Sequence, residues 1–343
     1  MHRRHLLRAA AAAPFLAALQ APLTPAAAVP SRPRRLTQGD TVAMVGPASA
    51  TFLRMELDIA RESLEALGLQ VRLGEHLRDR HGYLAGNDRA RAADINQFFA
   101  DPSIRAVLPI RGGWGSSRLL PYLDFDTIRR NPKIVLGYSD ITALLLAIQA
   151  RANLVTFHGP NGMGRWDAWS VDFVRRVLFN AEAVTFENPR TKGEFLAQTE
   201  DRTQTIVPGV ARGRLLGGNL TVLTAMLGSP YLPSWDGCIL FLEDVNEDLY
   251  RIDRMLTSLS LAGVLRKIRG FVFGTCDECE PGEGYGSLTL EEVLDDHIRP
   301  LNVPFWRGAM IGHSIPQFTL PVGMEVEVDA ARGAIRMLAP AVL

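Results

Sequence analysis

The feature that most restricts the fold is a regular alternation of short apolar runs with helical patterns, which begins at Asp40. Runs rich in β-branched residues and leucine, typical of strands, lie at residues 41–45, 69–73, 105–110, 134–136 and 154–157. Between these runs, apolar residues recur at the spacing of a helix, which predicts helices at residues 54–67 and 88–99, a short helix up to Leu123 and a further helix from Ala143. Because strands that are joined through helices run parallel, the pattern predicts an α/β, flavodoxin-like parallel sheet with helices on both faces. Ligands of such sheets bind beyond the carboxyl ends of the strands.

The periodicity weakens after residue 162 and returns near Gly213. We therefore predict an N-terminal domain over residues 36–162, a linker over residues 163–210 with one helix at residues 172–179, and a C-terminal domain over residues 211–343. The C-terminal pattern mixes strands and helices and closes with a hairpin around Ala331-Arg332-Gly333. It predicts a smaller, mixed α/β domain.

Charge and hydropathy exclude two function classes. Lysine plus arginine and aspartate plus glutamate both number 37, so the formal net charge is zero and nothing predicts binding to nucleic acid. After the N-terminus no stretch of eighteen apolar residues occurs, so we expect no membrane span once the signal is removed.

The N-terminus has the pattern of an export signal. Arg3-Arg4 precedes an alanine-rich apolar run that ends in small residues, which predicts a signal peptide over residues 1–28. The paired arginines favour the twin-arginine route and a periplasmic protein. A general secretory signal, or a misassigned start and a cytoplasmic protein, are the alternatives.

The chain has three cysteines, and they do not indicate a metal centre. Cys276 and Cys279 could form a disulfide, a redox pair or half of a metal site, but only Cys238 remains as a further thiol ligand. We therefore predict no metal and no cofactor, with the pairing of the thiols left open.

One strand-turn-helix segment carries the best candidate for chemistry. The apolar run Ile134–Leu136 leads into Gly137-Tyr138-Ser139-Asp140, and an apolar helix follows. This arrangement places Ser139 on a sharp turn at a helix N-terminus, as in a nucleophile elbow. The usual second glycine is replaced by Ile141. The alternative is that Asp140 only caps the helix and Ser139 is an ordinary turn residue.

A serine nucleophile needs a base and an acid that orients the base. His158 and His313 both follow apolar strands, and Glu243 stands at the end of another. The order Ser139, Glu243, His313 is that of α/β-hydrolases. For an oxyanion hole, Asp140 supplies one backbone N–H, and the glycine pair Gly112-Gly113 allows a second to approach closely. The alternative for Glu243 is a helix cap or a surface ion pair, and for the glycine pair a tight turn.

Taken together, five segments resemble the LD-carboxypeptidase family of serine peptidases, which includes muramoyltetrapeptide carboxypeptidases and microcin-immunity proteins. They are residues 111–121 (RGGWGSSRLLP), 137–144 (GYSDITAL), 158–160 (HGP), 217–220 (GGNL) and 241–244 (FLED). The resemblance covers residues 36–338. It implies that Ser139 is the nucleophile, Glu243 and His313 complete the triad, and Gly112, Gly113 and Asp140 form the oxyanion hole. Two departures are Trp114, where the family more often has tyrosine, and the signal peptide.

The expected function is release of D-alanine from murein tetrapeptides through an acyl-enzyme. We expect Arg111 and Arg118 to bind the substrate's free carboxylate, since a guanidinium fits it, with Trp114 in the pocket wall; ordinary surface cations are the alternative. Two other functions stay open. One is a microcin-immunity-like amidase that cleaves a peptidyl-nucleotide, with Trp166 and Trp169 as an aromatic clamp. The other is an inactive exported muropeptide-binding protein. By analogy with the family we expect a homodimer.

Overall fold

A computed structural model of the chain describes residues 29–164, 166–281, 286–313 and 316–343. The predicted signal peptide lies outside the described residues.

The described residues contain fourteen strands and eight α-helices. The strands are β1 (Thr41–Val45), β2 (Gln70–Leu73), β3 (Ile104–Pro109), β4 (Ile134–Gly137), β5 (Thr156–His158), β6 (Thr185–Glu187), β7 (Gln204–Val207), β8 (Val210–Asn219), β9 (Ile239–Val245), β10 (Gly270–Asp277), β11 (Phe305–Arg307), β12 (Leu320–Val322), β13 (Glu325–Asp329) and β14 (Ala334–Met337). The helices are α1 (Arg54–Ala66), α2 (Asp88–Ala100), α3 (Phe125–Arg130), α4 (Thr142–Ala152), α5 (Ala168–Val174), α6 (Leu220–Ala225), α7 (Leu249–Leu261) and α8 (Leu290–Ile298).

The first sheet has the strand order β12-β5-β4-β3-β1-β2. Strands β1 to β5 run parallel, as the alternation of strands and helices predicts. The exception is β12, a C-terminal strand that pairs antiparallel with β5 along the edge. The last part of the chain therefore returns to the first sheet, which no local pattern in the sequence indicates.

The second sheet has eight strands in the order β6-β14-β13-β8-β9-β10-β11-β7, against six in the first. Strands β8 to β11 are parallel, and β13 and β14 form the predicted antiparallel hairpin. Strands β6 and β7 come from the stretch that the sequence predicts to be a linker. They have three and four residues and half-exposed faces, too short for a clear alternation.

Helix α4, which follows Ser139, is buried on almost every side. Its leucine and alanine side chains pack under the first sheet and also against Val222 and Met226 at α6. A helix that is apolar all round must be enclosed by other elements. Here it joins the serine turn to the second unit. Among the described residues no helix is long and apolar enough to cross a membrane.

Candidate active site

Ser139 lies in a sharp turn between β4 and α4. Its φ of 64° is in the left-handed region, which a non-glycine residue rarely adopts and which costs on the order of 1–3 kcal/mol. The turn is held by Asn161, whose Oδ1 accepts a hydrogen bond from the Tyr138 backbone N–H at 3.2 Å. A side chain at Gly137 would come within 2.7 Å of that oxygen. The strained turn therefore depends on Gly137 and Asn161 together.

The side chains of Ser139, His313 and Glu243 form one hydrogen-bonded chain. His313 Nε2 lies 3.0 Å from Ser139 Oγ, and His313 Nδ1 lies 2.9 Å from Glu243 Oε2. Glu243 is fully buried within β9. The sequence analysis places it at the end of the strand, but the strand continues two residues further, to Val245. With Nδ1 protonated toward the carboxylate, Nε2 is free to accept the serine proton.

The surroundings of His313 favour its protonated form. Burial lowers the pKa of the imidazole, but the hydrogen bond and the charge of Glu243 outweigh that effect, and the pKa is raised above its ordinary value. Gly312, with φ of 130°, precedes it; a side chain there would come within 3.1 Å of Glu243 Oε2. Only glycine lets the histidine loop pass so close to the carboxylate.

The glycine turn after β3 lies directly beside Ser139. A Cβ built on Gly112 would be 3.2 Å from Ser139 Oγ and 3.3 Å from the backbone nitrogen of Asp140. Gly113 has φ of 102°. Gly112 and the backbone of Asp140 therefore adjoin the serine side chain, whereas a Cβ on Gly113 would face Ser49. The role of all three residues in catalysis stays a prediction.

The residues predicted to bind the substrate carboxylate differ in their surroundings. Arg118 donates from both Nε and Nη2 to Asp88 at 3.1 Å, which agrees with the alternative that it is an ordinary surface cation. Arg111 is half-buried, and its Nη1 lies 3.5 Å from the Ala50 carbonyl. Trp114 is 43% exposed beside the same turn. Of the two arginines, Arg111 has no carboxylate partner among the described residues.

His158, the other histidine at a strand end, is buried, whereas His313 is half-buried. Its ring packs edge-on against Phe241 at 5.3 Å and Tyr138 at 6.3 Å. Neither ring nitrogen has a hydrogen-bond partner among the described residues. Burial lowers the pKa of His158 to about 4, against the opposing charge of Glu243. The structure thus brings His313, and not His158, to the serine.

The second unit meets the first immediately behind the serine. The backbone N–H of Asn219 donates to Thr142 Oγ1 at 3.0 Å, and Asn219 Nδ2 donates to Asp244 Oδ1 at 2.9 Å. A side chain at Gly218 would come within 2.6 Å of Thr142 Cγ2. This contact fixes α4 relative to β9, and so sets the distance between Ser139 and Glu243.

Several positioning residues escape sequence reasoning, among them Asn161, Thr142 and Ser116. Each acts through hydrogen bonds to a residue distant in the chain, so no periodicity or local spacing indicates it. Cys276 and Cys279 form a disulfide, and Cys238 is buried as a free thiol. Within the described ranges no group of three or more His, Cys, Asp or Glu side chains could hold a metal ion.

Comparison with known proteins places this geometry in a family. Residues 42–159 match the LD-carboxypeptidase N-terminal domain, and residues 212–328 match the LD-carboxypeptidase C-terminal domain. The chain is 40% identical over 301 residues to a probable murein peptide carboxypeptidase of Bacillus subtilis, covering 88% of this chain and 92% of that protein.

Solved structures give the same result. The microcin C7 self-immunity protein MccF superposes with a TM-score of 0.81 at 25% identity, covering 92% of this chain and all of that one. A muramoyltetrapeptide carboxypeptidase from Oxalobacter formigenes superposes with a TM-score of 0.73 at 27% identity, covering 87% and 97%. The immunity protein and the carboxypeptidase therefore both share the two-domain fold of this chain.

Proposed function

The chain belongs to the LD-carboxypeptidase family of serine peptidases, and on this premise we propose that it releases the terminal D-alanine from murein tetrapeptides. The observation that supports the proposal most directly is the hydrogen-bonded chain from Ser139 through His313 to Glu243. A strained serine, a base and a buried orienting carboxylate make up the apparatus for acyl transfer to water.

In the proposed mechanism His313 takes the proton of Ser139 as the hydroxyl oxygen attacks the carbonyl carbon that precedes D-alanine. Glu243 holds the imidazole in the required tautomer and stabilises its charged form. The tetrahedral intermediate collapses when His313 returns the proton to the departing amine of D-alanine. Water, activated by the same histidine, then hydrolyses the acyl-enzyme.

The negative oxygen of the intermediate would lie against the backbone of Gly112, Gly113 and Asp140. One oxyanion-hole donor typically contributes about 3 kcal/mol to the activation free energy. Arg111 would bind the free carboxylate of D-alanine, because it directly precedes the glycine turn and its guanidinium has no carboxylate partner among the described residues. Such recognition would distinguish a carboxypeptidase from an endopeptidase.

The likeness to MccF makes a microcin-immunity-like amidase the second candidate. That function would need an aromatic clamp, for which the sequence offered Trp166 and Trp169. Trp169 packs against Phe173 at 4.6 Å and Phe318 at 5.2 Å, and Trp166 Nε1 donates to the Gly162 carbonyl at 3.1 Å. Both indoles are engaged in packing, which favours the peptide substrate.

Release of D-alanine by the purified protein, without the first 28 residues, tests the proposal. The substrates are a tetrapeptide ending in D-alanine, its epimer ending in L-alanine, and a peptidyl-nucleotide of the kind cleaved by an immunity amidase. We expect turnover of the first alone. Turnover of the nucleotide conjugate alone would support the amidase, and tight binding of muropeptide without turnover would support a binding protein.

We also propose that the protein is exported through the twin-arginine route and acts in the periplasm. The paired arginines and the apolar run support this location. Cell fractionation of the wild type and of the double substitution Arg3→Lys and Arg4→Lys would test it, since the double variant should stay in the cytoplasm. A homodimer, proposed by analogy with the family, is tested by light scattering.

A further inference from the structure

Arg91 is a charged side chain in the core of the first unit, far from the surface positions that arginine normally takes. It lies on α2 and is 1% exposed. Its Nη1 donates to the carbonyl of Gly115 at 2.9 Å and also to the carbonyl of Pro47, and its Nη2 donates to Asp88. Burying a charge is costly unless hydrogen bonds or an opposite charge compensate it, and these three acceptors compensate the buried guanidinium of Arg91.

The two carbonyls belong to two turns that contact each other, and the second of these turns lies beside Ser139. Pro47 lies in the turn after β1, and Gly115 lies in the glycine turn after β3. The same turns are joined directly, since Ser49 N donates to the Gly112 carbonyl at 3.3 Å and Trp114 N donates to Ser49 Oγ at 3.1 Å. Arg91 therefore closes a loop of contacts around the predicted oxyanion hole.

The peptide unit between Gly115 and Ser116 is held on both sides by buried side chains. Its carbonyl accepts from Arg91, and its N–H donates to Asp140 Oδ2 at 2.8 Å. Ser116 Oγ in turn donates to the Asp140 carbonyl. A hydrogen bond from a charged donor such as the Arg91 guanidinium is about twice as strong as a neutral one. Asp140 directly follows the nucleophile, so this unit connects Arg91 to the serine turn itself.

We propose that Arg91 is a positioning residue that fixes the glycine turn against the serine turn, and so sets the geometry of the oxyanion hole without touching the substrate. The inference rests on the proposed serine mechanism. Burial lowers the pKa of Arg91 while Asp88 and Asp140 oppose that effect, and the side chain stays a cation. No other residue of the described chain donates to both turns at once.

Two substitutions test the proposal. Arg91→Gln removes the charge and the planar guanidinium fork, and Arg91→Lys keeps the charge but concentrates its donors on one nitrogen. The matched control is Arg72→Gln, because Arg72 is a half-exposed arginine of the same unit that pairs with Asp101. The measurements are kcat and KM for D-alanine release, the melting temperature, and the affinity for a peptide boronic acid, whose tetrahedral adduct with serine places an anionic oxygen in the hole.

We expect kcat of Arg91→Gln to fall by about 100-fold, since a misplacement near 1 Å has that effect, with KM changed less than about threefold. Boronate affinity should fall by a similar factor, and Arg91→Lys should restore part of both. Arg72→Gln should match the wild type. If Arg91→Gln does not fold, Arg91→Lys still tests whether Arg91 positions the glycine turn, because we expect it to lose about tenfold in kcat at unchanged KM.

A lower melting temperature with unchanged kcat and boronate affinity would overturn the proposal, because Arg91 would then act on stability alone. Failure of the proposed function has a different signature. If the wild type released no D-alanine, the rate at which a fluorophosphonate labels Ser139 would replace kcat, because the phosphonyl oxygen occupies the same hole. Equal labelling rates for Arg91→Lys and the wild type would then refute the inference.

Discussion

Gly112→Ala should separate catalysis from stability in this protein. The new methyl carbon would lie 3.0 Å from Ser139 Cβ, 3.2 Å from Ser139 Oγ and 3.3 Å from the Asp140 nitrogen. Carbon atoms in ordinary contact are about 3.5–4.0 Å apart, so these neighbours must move by a few tenths of an ångström. The methyl group also takes the space beside Asp140 N that a developing oxyanion would need, since such donors lie about 2.7–3.1 Å from that oxygen.

The expected magnitude follows from the loss of one donor and the displacement of the serine turn. Loss of a single oxyanion-hole donor lowers kcat by about 10²–10³, which corresponds to about 3–4 kcal/mol. Stability should change less. Alanine fits the backbone at Gly112, which is outside the left-handed region, and its gain of about 0.4–1 kcal/mol through the unfolded state offsets part of the overpacking cost of about 1–3 kcal/mol.

Steady-state release of D-alanine and thermal unfolding by circular dichroism measure the two effects. The matched control is Gly113→Ala, where φ is 102° and the new methyl would lie 2.8 Å from Ser49 Cβ, so that variant should lose more stability. The reasoning is refuted if Gly112→Ala keeps kcat within about threefold of the wild type. It is equally refuted if the variant unfolds as readily as Gly113→Ala.

Three further predictions concern acid–base behaviour and the contact between the two units. His313 must be neutral to act as a base and its pKa is raised, so kcat/KM should fall as the pH drops through a midpoint above 6.5. Glu243→Gln removes the carboxylate that raises the pKa of His313, so this variant should have its midpoint at a lower pH. His158 stays neutral in the folded chain down to about pH 4, whereas the unfolded chain binds its proton near pH 6.5. The free energy of unfolding, measured with urea, should therefore fall by about 3 kcal/mol as the pH drops from 6.5 to 4. His158→Gln should not show this part of the fall. Gly218→Ala should lower stability by about 1–3 kcal/mol and also reduce kcat, because its methyl would press on Thr142 and separate the units; unchanged kcat in the folded variant would contradict this view of the contact.

More of the first sheet than of the second can be predicted from the sequence. Strands β1, β3 and β4 are buried apolar runs separated by well-defined helices, so their order and direction follow from local patterns. Strands β6 and β7 have three and four residues, and β12 joins the first sheet from the far end of the chain. Their pairing depends on long-range hydrogen bonds, which a local window does not contain.

The candidate site divides in the same way. Ser139, Glu243 and His313 are suggested by their positions at strand ends and by the family resemblance, and the structure brings them into contact. Arg91 and Asn161 give no such signal. Arg91 sits in a helix where alternating charges suggest a solvated face, and only the folded chain shows that it is buried against two carbonyls.

The central claim is that Ser139 attacks the substrate with His313 as its base. The most direct test is the rate of D-alanine release by Ser139→Ala, measured on the folded variant with the tetrapeptide that the wild type cleaves. The account predicts a loss of about 10⁴-fold or more in kcat, because a triad without its nucleophile keeps only residual activity. Release within about tenfold of the wild type would contradict the serine mechanism.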